Sequence, residues 1–392
     1  MVPGSAPADD SVTEPQPIGR VSQPLAFCIT TLHPCGAERQ LVELVLRLPT
    51  GDFEPHVIVL ASQPPANQTE LVDKLTACGV PVSFLNARGM LSAPTTIVKL
   101  KRYFQQLQPV LVQSFLAHAN IAATVAARAA GVRPVVTGIR VAERRANLHA
   151  WLARRTERWV ARHVCVSHSV AEFAIRDMQL DPRKVVMIPN GVDVETFAQA
   201  RPLEQRELGL PSTARLVVHV GRLDLQKRID WLLARFAEAL PQLPDTYLLL
   251  AGSGPSKVYL TKLSAQLGIV ERVRFLGWRG DVPRLLATCD ALVMTSAWEG
   301  MPNAVLEAMA AARPVLATEV EGVCEVLGNT LAAEQMIGRD DAPLFVERLV
   351  CVLHDRHRAT RLGQANQARA RQRFSLDETA RRYLELYREL LL

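Results

Sequence analysis

Short apolar runs alternate with helix-patterned segments along the chain, and this alternation restarts once near its middle. Strands that alternate with helices predict a parallel sheet covered on both faces, because each helix carries the chain back to begin the next strand. In the first half the predicted strands are 24–32, 55–60, 80–85, 110–114, 134–137, 159–167 and 185–188. In the second half they are 215–221, 246–251, 273–276, 291–295 and 314–318. The sequence therefore predicts an α/β chain with two Rossmann-like, doubly wound domains that face a central cleft.

The predicted boundary between the domains is the turn-rich segment 189–193, Pro-Asn-Gly-Val-Asp. We assign residues 21–190 to the first domain and residues 191–375 to the second, since 392 residues suffice for two domains of ordinary size. Residues 1–20 are rich in Pro, Ser and acidic residues without an apolar core, which predicts a disordered tail rather than a signal peptide. The sequence contains no uncharged apolar run of about 18 residues, which is the length that would predict a membrane-spanning helix.

The seven cysteines are scattered, with no Cys-x-x-Cys pair. This scatter argues against a zinc site and against a disulfide framework. We therefore expect free thiols in the reducing cytoplasm, most of them acting as small core residues.

Basic residues concentrate in the first half of the chain. Residues 20–190 carry 20 Lys and Arg against 11 Asp and Glu, within a total net charge of +6. The excess gathers at Arg140, Arg144, Arg145, Arg154, Arg155, Arg158 and Arg162. Two interpretations stay open, a solvated helix face or a surface that meets anionic membrane or lipid phosphate at the periphery of a bilayer. Nucleic acid is not an expected partner, because no nucleic-acid-binding motif accompanies the charge.

Residues 296–309 place two glutamates eight residues apart, directly after the predicted strand 291–295. Glu307 falls about one helical turn beyond a Gly-Met-Pro-Asn turn, where its carboxylate can accept hydrogen bonds from vicinal hydroxyls. Glu299 lies at the mouth of the strand, where it can hold hydroxyls of an attached group. Together with a phosphate at the start of the helix, this pair would describe a nucleotide-binding end, although two glutamates at this spacing are also common on surface helices.

The turn between these glutamates predicts an anion site. Pro302 suits the first turn of a helix, because the N–H that proline lacks has no partner there. The free N–H groups near Ala304 and Val305 would then bind phosphate at the positive end of the helix.

The loop 221–227 follows another predicted strand and adds two cations. Gly221 allows the backbone to approach a diphosphate closely. Arg222 offers a planar fork for phosphate oxygens, and Lys227 offers a mobile point charge.

Together these segments resemble the Glu-x7-Glu and Gly-Arg-x4-Lys elements of retaining glycosyltransferases with the GT-B fold, in the family-4-like group. The resemblance covers residues 24–390 and is strongest over 217–318. It implies that Glu299 contacts the donor sugar, that Glu307 contacts the ribose, and that the two cations of the 221–227 loop hold the diphosphate. It also implies that the last helix, residues 376–392, returns to cap the first domain.

Weaker matches extend the predicted site into both halves. Gly36 lies in a segment similar to the family's Gly-Gly-x-Glu-Arg element, although Cys35 replaces the first glycine. His118 resembles a cleft histidine near the donor sugar, although an isolated histidine is more often structural. The predicted catalytic residues are Glu299, His118, Arg222 and Lys227. The predicted donor-binding residues are Gly36, Gly221, Arg222, Lys227, Gly252, Trp278, Glu299, Met301, Pro302, Asn303, Ala304, Val305 and Glu307.

The resemblance implies retaining transfer of a sugar from a nucleotide diphosphate donor, with a UDP-sugar expected first and GDP donors left open. The expected acceptor is a hydroxyl of a glycan or lipid-linked saccharide, as in cell-envelope polysaccharide synthesis. No Asp-x-Asp follows a strand, so we expect no metal cofactor. Three alternatives stay open: a sugar phosphorylase, a nucleotide-sugar epimerase of similar architecture, and a non-catalytic nucleotide-sugar binding protein.

Overall fold

The computed structural model describes residues 22–49, 51–87, 92–142 and 147–392. The predicted tail, residues 1–20, and the basic residues Arg144 and Arg145 lie outside these ranges. The described chain forms two sheets of seven and six strands, in which all paired strands are parallel. This confirms the predicted α/β class with two doubly wound sheets.

The first sheet has the strand order β3-β2-β1-β4-β5-β6-β7. Its strands are β1 (Gln23–Ile29), β2 (Phe53–Val59), β3 (Val82–Phe84), β4 (Leu111–Phe115), β5 (Val135–Ile139), β6 (Arg162–Cys165) and β7 (Val185–Met187). The helices of this half are α1 (Gly36–Val45), α2 (Glu70–Ala77), α3 (Ala93–Leu107), α4 (Ala117–Ala130), α5 (Asn147–Thr156) and α6 (His168–Arg176).

The second sheet has the order β10-β9-β8-β11-β12-β13. Its strands are β8 (Arg215–Val220), β9 (Thr246–Ala251), β10 (Val273–Gly277), β11 (Ala291–Met294), β12 (Val315–Thr318) and β13 (Met336–Ile337). The remaining helices are α7 (Val194–Ala198), α8 (Ile229–Ala239), α9 (Lys257–Gln266), α10 (Val282–Thr288), α11 (Asn303–Ala310), α12 (Val323–Gln335), α13 (Ala342–His354), α14 (Arg356–Arg373) and α15 (Leu376–Leu391). Strand β13 was not predicted, because two residues are too few to show a period.

In both sheets the order in which successive strands are added reverses beside the first strand, where β1 pairs with β4 and β8 pairs with β11. In open parallel sheets a crevice forms outside the carboxyl ends of the strands at such a reversal point. The loops after β8 and β11, which contain Lys227 and Glu299, start at this crevice in the second half.

Helix α15 packs against the first sheet, although the chain reaches it from the second half. Tyr383 and Tyr387 are buried there, and the Tyr387 ring meets the Phe27 ring edge to face at 6.3 Å between centroids. The chain crosses between the halves twice at one place, where Val192 bridges to Ser375. A Cβ on Gly191 would lie 2.7 Å from the Cα of Leu376, so only glycine allows the two crossing segments to lie this close.

The two halves also share one hydrophobic cluster, which joins Val166 and Val170 to Val305 and Met309 of α11. At this contact a Cβ on Gly300 would lie 1.8 Å from the carbonyl oxygen of Arg140. The Gly-Met-Pro-Asn turn therefore lies directly against the first half, and its position depends on both halves.

Candidate active site

Lys227 and Glu299 form the centre of the site. The Lys227 ammonium lies 2.5 Å from Oε1 of Glu299, and the Ser296 hydroxyl donates to the same oxygen at 2.6 Å. Glu299 is buried, with 7% of its surface exposed. Two donors on one buried carboxylate oxygen fix the position of the Glu299 side chain. Ser296 was not predicted as a site residue, although it lies only two residues beyond β11.

The loop after β8 is stacked against a glycine-rich loop after β9. Gly252 has φ 142°, and a Cβ there would lie 1.9 Å from the carbonyl oxygen of Gly221. A Cβ on Gly254 would lie 2.2 Å from the carbonyl oxygen of Leu223. Side chains at Gly252 or Gly254 would displace the 221–227 loop, so these glycines determine where Arg222 and Lys227 lie.

Arg222 does not join the Lys227–Glu299 pair. Its Nε lies 2.6 Å from Oδ2 of Asp224, and its side chain is 64% exposed. Burial raises the pKa of the Cys35 thiol in the first half, and the charge of Arg222 acts across the cleft to oppose this rise. The guanidinium is therefore exposed between the halves, where a planar donor could meet phosphate oxygens.

The turn before α11 differs in detail from the prediction. Pro302 is the residue that precedes the helix, and Asn303 is the first helical residue. The Val305 N–H donates to the Pro302 carbonyl oxygen at 3.2 Å, so it is not free as predicted. Ala304 follows Asn303 in the first turn and packs partly against the shared core.

Asn303 and Asn190 connect the halves through hydrogen bonds. The Asn303 amide nitrogen donates to the Gly36 carbonyl oxygen at 3.0 Å, and its oxygen accepts from Asn190 at 2.7 Å. Met301 is buried, and its sulfur accepts from the Asn190 N–H at 3.3 Å. The Met301 side chain thus faces the interdomain turn, and its role in donor binding stays a prediction.

Glu307 lies half-buried on α11, one turn beyond Asn303. Burial raises the pKa of its carboxyl to about 7, and the charge of Arg39 in the first half opposes this rise. The charge of Arg39, on α1 of the first half, therefore acts on Glu307 across the cleft, an interaction that the sequence did not predict. Hydroxyl groups that donate hydrogen bonds to this carboxyl would favour its ionised form and so lower its pKa.

His118 is exposed at the start of α4, and its ring meets the His149 ring of α5 edge to face at 4.6 Å between centroids. Trp278 is 44% exposed at the end of β10. Its neighbour Gly277 accepts a hydrogen bond from the Gly252 N–H at 2.7 Å, which ties this strand end to the glycine-rich loop. The roles predicted for His118 and Trp278 stay predictions.

Arg140 does not belong to an exposed basic surface. Its guanidinium lies 5.1 Å from the Phe115 ring centroid and donates to Asn190 at 2.5 Å, and burial lowers its pKa. Arg154, Arg155 and Arg158, in contrast, are exposed. The basic segment of the sequence is therefore divided between an interdomain contact and the surface around α5.

Three of the seven cysteines are buried, namely Cys28, Cys165 and Cys289, so the expectation that most thiols lie in the core is wrong. Within the described ranges, no three His, Cys, Asp or Glu side chains are grouped so that they could hold a metal ion. No helix of the described chain is both long and apolar enough to cross a bilayer.

Two family models match consecutive parts of the chain. The model of glycosyltransferase family 4 matches residues 34–196, and the model of glycosyl transferases group 1 matches residues 200–369. The boundary between the two matches falls near the double crossing at Gly191.

Curated relatives are glycosyltransferases. The UDP-Gal:alpha-D-GlcNAc-diphosphoundecaprenol alpha-1,3-galactosyltransferase of Escherichia coli is 28% identical over 342 residues, which cover 82% of this chain and 85% of the relative. The lipopolysaccharide core biosynthesis glycosyltransferase LpsE of Rhizobium meliloti (strain 1021) is 32% identical over 184 residues, which cover 47% and 53%.

Solved structures share the fold. HepE of Anabaena in complex with UDP-glucose superposes with a TM-score of 0.81 at 20% identity, covering 94% of this chain and all of HepE. WaaG, a glycosyltransferase involved in lipopolysaccharide biosynthesis, superposes with a TM-score of 0.71 at 16% identity, covering 92% and 99%.

Proposed function

The chain belongs to the family-4-like glycosyltransferases of the GT-B fold, and from that premise we propose that it moves a hexose or N-acetylhexosamine from UDP to a hydroxyl of a lipid-linked glycan, with retention at the anomeric carbon. The observation that carries the proposal is the Lys227–Glu299 pair, which lies at the crevice where β8 and β11 are neighbours. Glu307 follows on α11. The kinds of group that a nucleotide sugar needs lie at this crevice: a cation for phosphate and two carboxylates for hydroxyls.

The UDP donor is supported by two relatives. The Escherichia coli relative is named for UDP-Gal, and HepE binds UDP-glucose in its crystal structure. For this chain we propose that Glu307 accepts hydrogen bonds from the ribose hydroxyls and that Glu299 accepts them from the sugar.

The chemistry assigned to the chain is stabilisation of the leaving group. As the glycosidic bond breaks, negative charge grows on the diphosphate, where Lys227 and Arg222 would stabilise it. Glu299 already accepts from Lys227 and Ser296, which suits a carboxylate that orients hydroxyls rather than one that attacks carbon. We therefore propose no protein nucleophile. The acceptor hydroxyl would pass its proton to the leaving phosphate on the same face, which gives retention. Because Arg222 and Lys227 would supply the positive charge that a metal ion otherwise supplies to the diphosphate, we propose that transfer needs no metal ion.

The acceptor proposal rests on the first half. Leu148 and Trp151 of α5 are 54% and 52% exposed, and the Arg155 guanidinium lies 5.1 Å from the Trp151 ring centroid. A surface cavity of about 580 Å³ beside them is lined by Trp151, Arg154, Arg155, Glu157, Arg158, Asp181 and Lys184. Exposed aromatic and basic side chains on one helix are typical of a surface that lies on an anionic bilayer. A lipid-linked acceptor would be met at such a surface.

The donor is tested by titrating the protein with UDP, GDP and ADP and their common sugar conjugates in a calorimeter, with EDTA present. Tight binding of UDP and a UDP-sugar supports the proposal. Binding of inorganic phosphate or sugar phosphates with no nucleotide binding moves the protein to the phosphorylase alternative. Proton NMR of the glycoside product then reads its anomeric configuration, and inversion rules out the proposed mechanism.

The membrane contact is tested by flotation with liposomes that contain anionic phospholipid, at low salt. Reversing the charge of Arg154 and Arg155 to glutamate should abolish flotation, whereas reversal of the exposed Arg356 and Arg373 of α14 should not. Equal flotation of both double variants, with unchanged transfer to a lipid-linked acceptor, contradicts this part of the proposal.

A further inference from the structure

A buried histidine lies beneath the phosphate-binding loop. His219 is the fifth residue of β8 and is 1% exposed. Its Nδ1 lies 3.2 Å from the Val293 carbonyl oxygen, an acceptor, so Nδ1 carries the proton and Nε2 is an unprotonated acceptor. Among the described residues, Nε2 has no hydrogen-bond partner. Burial, assisted by the charge of Lys227, lowers the pKa of the ring to about 3, so the ring is neutral at physiological pH.

The free nitrogen of His219 faces the stem of Lys227 across a glycine. A Cβ on Gly221 would lie 3.2 Å from Nε2 of His219 and 3.5 Å from Cε of Lys227. The missing side chain therefore leaves an open path between the imidazole nitrogen and the end of the lysine. An unpaired buried acceptor weakens a fold, so its presence near the end of the Lys227 side chain needs an explanation.

We propose that His219 is a positioning residue for Lys227, whose ammonium donates to Nε2 of His219 when it turns from Glu299 towards the donor diphosphate. This inference rests on the proposed function, because it assumes that Lys227 binds the diphosphate. The ammonium has three N–H groups and can hold phosphate and imidazole together.

The choice of imidazole follows from the charges around it. A carboxylate at this place would hold the ammonium equally well, but it would repel a bound diphosphate. A neutral imidazole supplies an acceptor without adding negative charge. A hydrophobic residue would fill the space, but it would leave Glu299 as the only strong acceptor known for the ammonium among the described residues.

The test compares UDP dissociation constants by calorimetry. His219→Leu should weaken UDP binding about tenfold, the loss of one hydrogen bond to a charged group. His219→Gln places an amide oxygen near the position of Nε2 and should restore most of the affinity. In a Lys227→Met background, His219→Leu should cause no further loss, because no ammonium remains to be positioned.

His163 provides the matched control. It is also buried, burial lowers its pKa to about 4, and its Nε2 likewise has no hydrogen-bond partner in the described chain, although Oε1 of Glu157 lies 4.0 Å away. It lies on β6 in the first sheet, and its Nδ1 lies 2.7 Å from the Thr137 hydroxyl. His163→Leu removes the same kind of side chain at a different place and should leave UDP binding unchanged.

The outcomes separate the inference from the proposed function. If the wild-type protein does not bind UDP, the proposed donor is wrong and the inference falls with it. If the wild type binds UDP but folded His219→Leu binds equally well, or if the loss is the same in the Lys227→Met background, the inference alone is overturned.

A second measurement needs no substitution at His219. In wild-type protein labelled with ¹⁵N-histidine, addition of UDP should move one Nε2 resonance from the value of a free acceptor towards that of a hydrogen-bonded one. The same resonance should stay unmoved in Lys227→Met. A wild-type spectrum in which no acceptor nitrogen responds to saturating UDP overturns the inference, even if the His219 variants do not fold.

Discussion

The ammonium nitrogen of Lys227 lies 2.5 Å from Oε1 of Glu299, so the cation assigned to the diphosphate and the carboxylate assigned to the sugar bind each other. Their side chains are 20% and 9% exposed, so water screens the attraction only partly. Under the proposed function, a bound donor would share or replace this contact, because its phosphate oxygens would compete with Glu299 for the ammonium. Recognition of the phosphate and recognition of the sugar would then be energetically linked.

The first prediction concerns Glu299→Gln, which keeps the shape of the side chain and removes its charge. Lys227 then loses its charged partner and is freer to bind phosphate, so UDP should bind roughly threefold to tenfold more tightly, while transfer falls by orders of magnitude. Calorimetry and a transfer assay measure the two effects. Weaker UDP binding in this variant would mean that Glu299 holds Lys227 in the phosphate-binding position instead of competing for it.

The second prediction separates the two cations. Arg222→Ala and Lys227→Ala should each lower kcat/KM by about 10²–10³-fold, because each removes charge that stabilises the leaving diphosphate. Arg206→Ala is the control: like Arg222, Arg206 is exposed and pairs with an acid two positions away, Glu204, but it lies outside the cleft loops. Wild-type activity in a folded Arg222→Ala, Lys227→Ala double variant removes the phosphate assignment of both residues.

The third prediction is a pH dependence that originates at Glu307. Its carboxyl has a pKa of about 7 in the folded protein, above the value of 4.5 that it has in an unfolded chain. Ribose hydroxyls donate to the ionised form, so donor binding should release protons, and affinity should fall as the pH drops below about 7.

Calorimetry in buffers of different ionisation enthalpy measures this proton release directly. In Glu307→Gln the release and the pH dependence should both vanish, with affinity near the low-pH value of the wild type. For stability the sign is opposite: the raised pKa means that stability contributed by the neutral carboxyl is complete below pH 4.5 and is lost as pH rises to about 7. A wild-type affinity that is constant from pH 5.5 to 8 excludes Glu307 from ribose binding.

Sequence reasoning worked where the signal is local and failed where it depends on placing distant segments. The loops that contain Lys227 and Glu299 were predicted from the short apolar runs before them, and the structure places the two side chains together. The link from Asn190 to Asn303 and on to Gly36 spans separations of 113 and 267 residues, which no periodicity reports. Arg140 was grouped with the other basic residues of the first half, because the sequence alone cannot show that its guanidinium contacts Phe115 and Asn190.

The last prediction concerns Ala312, in the turn that follows α11. Its φ is 55°, in the left-handed region, where a Cβ costs roughly 1–2 kcal/mol. Helix α14 packs closely against this turn and restricts its movement, since a Cβ on Gly363 would lie only 2.1 Å from the Ala312 carbonyl oxygen.

Ala312→Gly removes this strain, while glycine loses about 0.5–1 kcal/mol through the greater freedom of the unfolded chain. The variant should therefore be about 0.5–1 kcal/mol more stable than the wild type, as read from the midpoint of urea unfolding. Ala311→Gly is the matched control, because Ala311 has φ −77°, a conformation that alanine adopts without strain. It should be less stable than the wild type by about 1 kcal/mol. If both variants lose stability equally, the left-handed conformation of Ala312 carries no strain, and the alanine at this position is fully accommodated by α14.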